Sequence, residues 1–239
     1  MKVEVLFPEV ANLYGDLQNA EYLRRSCEEV ELIETTLKDT PRFLSEDIAL
    51  VCMGSITEEG QRLARDVLLP HKAAIREKIE AGQLFLITGN AMDVFGEDIF
   101  FTDDGSTEAM LGLFPLHAKY RMMQRCNALY LGKFGEATDI VGFKSLFGLS
   151  YGETEPLFTT VRGYGRNKET PVPEGIRDHR FFATHLTGPL LLLNPPFAKF
   201  ILSEMGIKEP RLAFEDEAME LYRQRVSEFA DPNTGVEYH

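Results

Sequence analysis

The chain has 239 residues, of which 44% are hydrophobic and 26% are charged, and its formal net charge is -13 at pH 7. These proportions are those of an ordinary globular protein and exclude a disordered or fibrous chain. The negative charge opposes binding to a phosphate backbone, and no dense Lys/Arg cluster counters it, so nucleic acid is not expected as a partner.

The first half of the chain alternates strand-like apolar segments with amphipathic helical segments. This order is typical of a parallel sheet that is covered by helices. Strands are predicted at residues 2–7, 30–36, 48–53 and 84–87, and helices at 19–27 and 58–81. Within the long helical segment, Pro70 predicts a break or kink, and Gly82 is an end signal.

A tight turn follows the strand at residues 84–87. The sequence passes from Thr88 through Gly89 and Asn90 into a helix start, which is the pattern of a nucleophile elbow. Such a turn holds a nucleophile at a strained backbone position, close to N–H groups that stabilise an oxyanion. Here the turn offers only glycine and a carboxamide, and neither attacks a carbonyl carbon.

The second half of the chain is rich in turns. Gly105 predicts the tight turn of a hairpin after residues 99–102. Short apolar segments at 128–131, 140–143 and 157–161 predict antiparallel strands, and residues 163–173 are expected to form a mobile loop. Helices are predicted at 196–205 and 215–229, followed by about ten frayed residues. No linker divides the chain, so one domain over residues 1–239 is expected, with a C-terminal helix and tail from about 207.

Six short motifs occur in an order known from one family. They are residues 12–19 (Asn-Leu-Tyr-Gly-Asp-Leu-Gln-Asn), 51–55 (Val-Cys-Met-Gly-Ser), the turn at Gly89, 141–143, 163–165 and 184–189. In this order the chain resembles class I glutamine amidotransferases of the cobyric acid synthase type. Among these it is most similar to the glutaminase subunits of lipid II isoglutaminyl synthase, which work beside a Mur-ligase-like synthetase.

The resemblance covers residues 2 to about 206 and implies a fold. That fold is a three-layer, flavodoxin-like α/β domain with a mostly parallel sheet and an antiparallel extension. The family's activity requires a cysteine that attacks the glutamine carboxamide and a histidine that carries the proton. By the resemblance, the cysteine position falls on Gly89 and the histidine position on Thr187. Both catalytic residues are therefore replaced, and the resemblance implies the fold without the activity.

Two residues are candidates to replace the lost pair. Cys52 ends a strand whose following loop, in the family, supplies an oxyanion donor. The alternative is that Cys52 is a small buried hydrophobe. His185 lies two residues before Thr187 and is the best substitute base, although a satisfied structural histidine is the alternative. The other histidines are expected to be incidental.

Four residues are candidates to bind a ligand in the former glutamine pocket: Arg125, Asn90, Gly54 and Thr187. By the resemblance, Arg125 borders that pocket, where its guanidinium can hold a carboxylate. The alternative is an ordinary surface arginine. The loop of residues 14–19 admits a ligand-binding role, but its Asp and Asn more often satisfy backbone donors.

Several classes of site are not expected from the motifs. Cys27, Cys52 and Cys126 are too few and too scattered for a disulfide framework or a zinc site, which favours a reducing cytoplasm. The acidic runs lack metal-ligand spacing, and no phosphate loop or dinucleotide motif is present, so no metal and no cofactor are expected. The longest apolar run, residues 188–193, is too short to cross a membrane, and the first residues carry no export leader.

The sequence therefore predicts a catalytically degenerate glutamine amidotransferase-like protein. Its expected role is a non-hydrolysing binding or regulatory partner of an ATP-dependent amide ligase or synthetase, in cell wall or cofactor biosynthesis. It would dock on that synthetase or hold a small amino-acid-like ligand through Arg125. The alternative is an active amidotransferase or amidohydrolase with a rearranged site that uses Cys52 and His185.

Overall fold

The computed structural model describes residues 1–168 and 173–238. In this part of the chain the strands are, in chain order, β1 (Lys2–Leu6), β2 (Glu31–Thr35), β3 (Leu50–Met53), β4 (Phe85–Thr88), β5 (Asp98–Phe101), β6 (Thr107–Ala109), β7 (Leu116–Tyr120), β8 (Cys126–Phe134), β9 (Thr138–Leu146), β10 (Gly148–Gly152), β11 (Thr159–Arg162), β12 (Ile176–Asp178), β13 (Phe181–Thr184) and β14 (Glu237–Tyr238). The α-helices are α1 (Leu17–Ser26), α2 (Glu58–Leu68), α3 (Lys72–Glu80), α4 (Leu190–Leu193), α5 (Pro195–Glu204) and α6 (Glu215–Ala230). Short 3-10 helices lie at Arg42–Leu44, Leu69–His71 and Gly89–Phe95.

The central sheet has six strands in the order β12-β13-β4-β3-β1-β2. All neighbouring pairs are parallel except β12 with β13. Side chains alternate between the two faces, so Val51 and Met53 of β3 pack on one face, while Cys52 packs on the other. The first face is covered by α2, α3 and the 3-10 helix Gly89–Phe95, and the second by α1, α4 and α5. The chain is thus a three-layer α/β fold, as the sequence predicted.

Two further sheets form the expected antiparallel extension. One has the order β10-β7-β5-β6, in which only the β5–β7 pair is parallel. The other has the order β11-β8-β14, with β9 paired to β8 over nine residue pairs. The hairpin between β5 and β6 contains Gly105 at φ +75°. The predicted break in the long helix is also confirmed, because Leu69–His71 forms a 3-10 turn around Pro70 between α2 and α3.

Two expectations of mobility need correction. Within the predicted mobile loop, residues 169–172 lie outside the described residues, but Tyr164, Arg166 and Asn167 are buried. The predicted frayed end is also held in place, since β14 pairs with β8. The Arg162 side chain donates hydrogen bonds to the carbonyl oxygens of residues 229, 231, 232 and 234. Tertiary contacts therefore hold the C-terminal tail through Arg162, and the described part of the predicted loop is buried at Tyr164, Arg166 and Asn167.

In the part of the chain that the structure describes, no helix has both the length and the apolar character needed to cross a membrane. Within the same residues, no three His, Cys, Asp or Glu side chains come together in a way that would hold a metal ion.

Candidate functional site

The predicted turn lies at the carboxyl end of β4, in the middle of the parallel sheet. Gly89 has φ +63°, a conformation that L side chains rarely adopt. Its N–H donates a 3.0 Å hydrogen bond to the Leu186 carbonyl oxygen, and the 3-10 helix Gly89–Phe95 begins there. Ligands of open α/β sheets usually bind at the carboxyl ends of the strands, so a ligand site is expected at this turn.

The space above Gly89 is filled by Ser55. An ideal Cβ atom built on Gly89 would lie 2.0 Å from the Ser55 Oγ atom and 3.1 Å from its Cα atom. Contacts below 3.0 Å essentially never occur for real Cβ atoms. The fold therefore has the backbone of a nucleophile elbow but leaves no room for a nucleophilic side chain on it.

Asp16 occupies the space next to Ser55. Its Oδ1 atom accepts hydrogen bonds from Thr88 Oγ1 at 2.6 Å, from the Gly188 N–H at 3.1 Å and from Ser55 Oγ at 3.2 Å. A Cβ atom on Gly54 would lie 2.2 Å from Asp16 Cβ, and one on Gly188 would lie 2.7 Å from Asp16 Cα. The two glycines thus make room for this buried carboxylate, which joins the loop before α1 to the ends of β3, β4 and β13.

The cavity that remains beside Asp16 measures about 10 Å³ and is also lined by Cys52, Gly54 and Thr88. A cavity needs about 10–15 Å³ before it admits even one water molecule. Glutamine does not fit in this space. The site at the turn is closed in this structure by side chains of the chain itself.

The residues predicted to bind a ligand do not line a common open cavity. Asn90 accepts a hydrogen bond from the Ile56 N–H at 3.0 Å and donates one to the Ile56 carbonyl at 2.7 Å, so its amide serves the backbone. Thr187 Oγ1 donates to the Phe143 carbonyl at 3.1 Å. Gly54 and Thr187 both lie near the region that Asp16 and Ser55 fill.

Arg125 is exposed and held by its neighbours. Its Nη1 atom donates to Tyr14 Oη at 2.7 Å and to Ser145 Oγ at 3.1 Å, and its guanidinium lies 4.3 Å from the centroid of the Phe147 ring. Tyr14 in turn donates to the Ser145 carbonyl. The arginine therefore bridges the loop before α1 to β9 rather than projecting into the filled space at Gly89.

The structure does not bring Cys52 and His185 together. Cys52 packs with Val5, Ala20 and Leu86 on the face covered by α1 and α5. His185 instead contacts Asp93 of the 3-10 helix on the other face. Burial raises the pKa of the Cys52 thiol to about 12, so at neutral pH the nucleophilic thiolate is almost absent. These positions do not support a rearranged catalytic pair.

His185 belongs to a buried polar network that sequence reasoning missed. Its Nε2 atom lies 2.9 Å from Asp93 Oδ1 and 3.3 Å from Ser150 Oγ. Ser150 Oγ donates to Asp93 Oδ1 at 2.6 Å, and Tyr120 Oη donates to Asp93 Oδ2 at 2.8 Å. Burial by itself raises the pKa of Asp93, but His185 and the hydrogen bonds from Ser150 and Tyr120 hold it below its usual range.

This network has the residue types of a Ser-His-Asp triad without its geometry. In a triad, the serine and the aspartate contact different ring nitrogens of the histidine. Here Ser150 and Asp93 share Nε2, and among the described residues Nδ1 has no hydrogen-bond partner. His185 and Ser150 are also fully buried. The network therefore fixes the core and cannot relay a proton to a substrate.

A buried ion pair lies next to this network. Lys144 of β9 donates to Glu174 and to the Gly165 carbonyl oxygen, while Glu174 accepts from Thr184 Oγ1 at 2.9 Å and from the His185 N–H at 2.6 Å. Burial opposes ionisation of Glu174, but Lys144, His185 and these hydrogen bonds hold the pKa of Glu174 below its usual range. Burial lowers the pKa of Lys144, against the attraction of Glu174.

One sequence signal points to these groups. Asp93 interrupts the apolar run Ala91 to Phe95, and Lys144 lies in the strand-like run from Val141 to Leu146. A charged residue in a segment that is otherwise buried needs an internal partner. The partners themselves, 30 or more residues away in the chain, cannot be paired from one sequence.

A cavity of about 950 Å³ lies at the opposite edge of the central sheet from the turn at Gly89. It is lined by residues at the amino ends of the central strands, including Lys2, Ala49 and Leu84. Its charges largely pair with each other, as in Lys2 with Glu46 and Arg180 with Glu204. Because ligands of such sheets bind at the carboxyl ends of the strands, this shallow cavity is not the candidate site.

The chain matches no protein-family model, and no curated protein is significantly similar to it in sequence. Its fold, however, is that of glutamine amidotransferase domains. A structure described as a glutamine amidotransferase is 15% identical, with a TM-score of 0.53 over 86% of this chain and 99% of that chain. PurLQS from Thermotoga maritima is 13% identical, with a TM-score of 0.52 over 93% of this chain and 97% of that chain. The glutaminase domain of Trypanosoma brucei CTPS with bound acivicin is 10% identical, with a TM-score of 0.53 over 90% and 98%.

Proposed function

We propose that this chain is a non-hydrolysing glutamine amidotransferase-like protein that binds or regulates an ATP-dependent amide ligase or synthetase. The observation that carries the proposal is the filled turn at Gly89. Ser55 stands where a nucleophile would begin, and Asp16 fills the adjoining space with three accepted hydrogen bonds. Covalent glutamine hydrolysis needs both a nucleophile and room for the carboxamide.

The partner role is supported by the structural neighbours. The neighbour from Trypanosoma brucei is the glutaminase domain of CTPS, and is thus described as one domain of that protein. By the resemblance of the sequence motifs, a Mur-ligase-like synthetase in the cytoplasm is the specific partner that we propose. In this role the whole chain acts as one domain that has kept the amidotransferase shape and lost its reaction.

An apolar patch on the surface supports a partner contact. Leu192, Phe214 and Leu221 have 43%, 69% and 60% of their surface exposed and line a groove of about 240 Å³ between α4 and α6. Phe214 adopts φ +53°, an uncommon conformation for a bulky residue. Exposed apolar side chains that line one groove favour a contact with another protein over exposure to water.

The catalytic part of the proposal is tested with glutamine and with acivicin. We expect the purified protein to release no more ammonia from glutamine than its Cys52→Ala and His185→Ala variants do. Intact-mass spectrometry after incubation with acivicin is expected to show no adduct. Ammonia release that disappears in both variants would establish the rearranged enzyme instead.

The partner part is tested by co-purification at native expression level. We expect the chain to elute with a protein that hydrolyses ATP in the presence of ammonia and an acidic substrate. Leu221→Glu is expected to abolish co-elution, while Leu63→Glu, which places the same charge on the exposed face of α2, leaves it unchanged. Elution as an isolated chain, or a captured protein without ATP-dependent activity, would contradict the proposal.

A further inference from the structure

A cationic groove lies away from the turn at Gly89, where β7 and β10 meet the start of β8. It has a volume of about 340 Å³ and is lined by Lys119, Arg121 and Lys168 together with Phe147, Tyr151 and Cys126. No carboxylate among the described residues lines it. In a chain with a net charge of -13, three cations around one concave surface need an explanation.

Within the described residues, two of these cations lack an acidic partner, since neither Arg121 nor Lys119 forms a salt bridge there. The Arg121 side chain donates a hydrogen bond to the Gln124 side chain at 3.5 Å. Lys168 is partly neutralised by Glu237 at 2.8 Å. Asp103 accepts a hydrogen bond from the N–H of Met122, the residue that follows Arg121.

The groove also offers an apolar surface. Phe147, Leu149 and Tyr151 occupy alternate positions along the strand region of β10, so they lie on one face. Lys119 lies opposite Leu149 in the β7–β10 pairing, and its ammonium is 4.6 Å from the centroid of the Tyr151 ring. Apolar walls with a few converging charges are typical of small-molecule sites, which start at about 300 Å³.

We propose that this groove binds a small organic dianion of the phosphate-monoester class, with its apolar or planar part on Phe147 and Tyr151. A phosphate monoester carries a charge of about -1.5 to -2 at pH 7, which matches the combined charge of Arg121 and Lys119. Arg121 holds it through paired N–H···O bonds, and Lys119 acts as a point charge. The groove contains none of the residues that fill the turn at Gly89, so binding in the groove does not depend on glutamine hydrolysis at that turn.

Isothermal titration calorimetry tests the proposal with four probes: AMP, glucose 6-phosphate, inorganic phosphate and glutarate. We expect at least one of the two phosphate monoesters to bind saturably, and more tightly than inorganic phosphate or glutarate. We expect Arg121→Gln and Lys119→Met each to weaken that binding roughly tenfold, in line with the loss of one charge-assisted hydrogen bond. Lys208→Met removes an exposed cation outside the groove and is expected to leave the affinity unchanged.

The half-buried Cys126 supplies a second readout, because this residue lines the groove. A bound phosphate monoester is expected to slow alkylation of Cys126 several-fold, while alkylation of the half-buried Cys27 in α1's C-terminal cap stays constant.

Three outcomes overturn the proposal. They are no saturable binding of either monoester, glutarate binding as tightly as the monoesters, and equal affinities in the Arg121, Lys119 and Lys208 variants. These outcomes are independent of ammonia release and of co-elution with a synthetase. Failure of this site is therefore distinguishable from failure of the proposed function.

Discussion

The Oγ atom of Ser55 lies 2.0 Å from the position that a Cβ atom on Gly89 would occupy. The two residues come from neighbouring parallel strands, since Ser55 follows β3 and Gly89 follows β4. Glycine is therefore required at position 89 for two reasons: the backbone has a positive φ, and Ser55 occupies the space that a side chain would need. The turn at Gly89 therefore carries no nucleophilic side chain and, with Ser55 in place, has no room for one.

Gly89→Ala is expected to destabilise the protein by about 3 kcal/mol, as the sum of left-handed backbone strain and overpacking against Ser55. Gly105→Ala is the matched control, because Gly105 has φ +75° and no atom within 4 Å of an added Cβ. Gly105→Ala is therefore expected to lower the free energy of unfolding only by the backbone strain, about 1 kcal/mol. Urea unfolding of both variants measures the difference.

The steric part of this cost is isolated by a double variant. Adding Ser55→Gly to Gly89→Ala is expected to recover at least 1 kcal/mol relative to the sum of the two single changes, since neighbours in contact are not additive. Equal costs for Gly89→Ala and Gly105→Ala, or strict additivity with Ser55→Gly, would show that the space above Gly89 is not filled.

Asp16 is expected to stabilise the closed turn. Asp16→Ala removes the acceptor of Thr88 Oγ1 and of the Gly188 N–H and leaves a buried void. We therefore expect a loss of about 2–4 kcal/mol in the free energy of unfolding. Asp39→Ala, which removes an exposed carboxylate that accepts from Thr36, is the control and is expected to destabilise the protein much less. A similar cost for both variants would mean that Asp16 is not the element that closes the turn.

The elements of the central sheet were predictable because their apolar residues follow strand and helix periods. The strand predicted at 30–36 is observed at Glu31–Thr35, and the helix predicted at 215–229 is observed at Glu215–Ala230. The tail and the loop were not predictable in the same way. The tail is held by hydrogen bonds from Arg162, and Arg166 in the described part of the loop is buried. Polar residues show no periodicity that would reveal such long-range contacts.

The turn at Gly89 was predictable as a local pattern, but its filling was not. Asp16, Ser55 and Gly188 are separated by 39 residues or more, and only the parallel pairing of the strands places their ends at one point. The same reason applies to His185 and Asp93, which are 92 residues apart. A single sequence identifies residues of unusual type for their position. The register of the sheet determines which of these residues contact each other, and it cannot be read from the sequence.

Cys52 is expected to be the least reactive of the three thiols. Its side chain is buried and burial raises its pKa to about 12, whereas Cys27 and Cys126 are half-buried. Treatment of the native protein with iodoacetamide at pH 8 is therefore expected to alkylate Cys27 and Cys126 and to leave Cys52 free until urea unfolds the chain. Peptide mass mapping measures this order. Rapid alkylation of Cys52 in the native protein would contradict this prediction and would support Cys52 as a nucleophile.

Glu174→Gln is expected to destabilise the protein by about 3–5 kcal/mol at pH 7, because it leaves the buried Lys144 ammonium without its anion. Glu204→Gln, which removes the carboxylate from the partly exposed Arg180 pair, is the control and is expected to cost under about 1 kcal/mol. Urea unfolding at pH 7 measures both variants.

The pH dependence of stability gives an independent test of the same carboxylate. The folded-state pKa of Glu174 is held below its ordinary value of 4.5, so as the pH falls the unfolded chain takes up the proton first. The stabilisation by Glu174 is therefore complete above the unfolded pKa and is lost as the pH falls through the folded pKa. We expect the free energy of unfolding to drop below about pH 4.5, and to drop less steeply in Glu174→Gln, where Asp93 with its lowered pKa still contributes. Parallel profiles for the wild type and Glu174→Gln between pH 7 and pH 3 would mean that Glu174 is not ionised in the folded core.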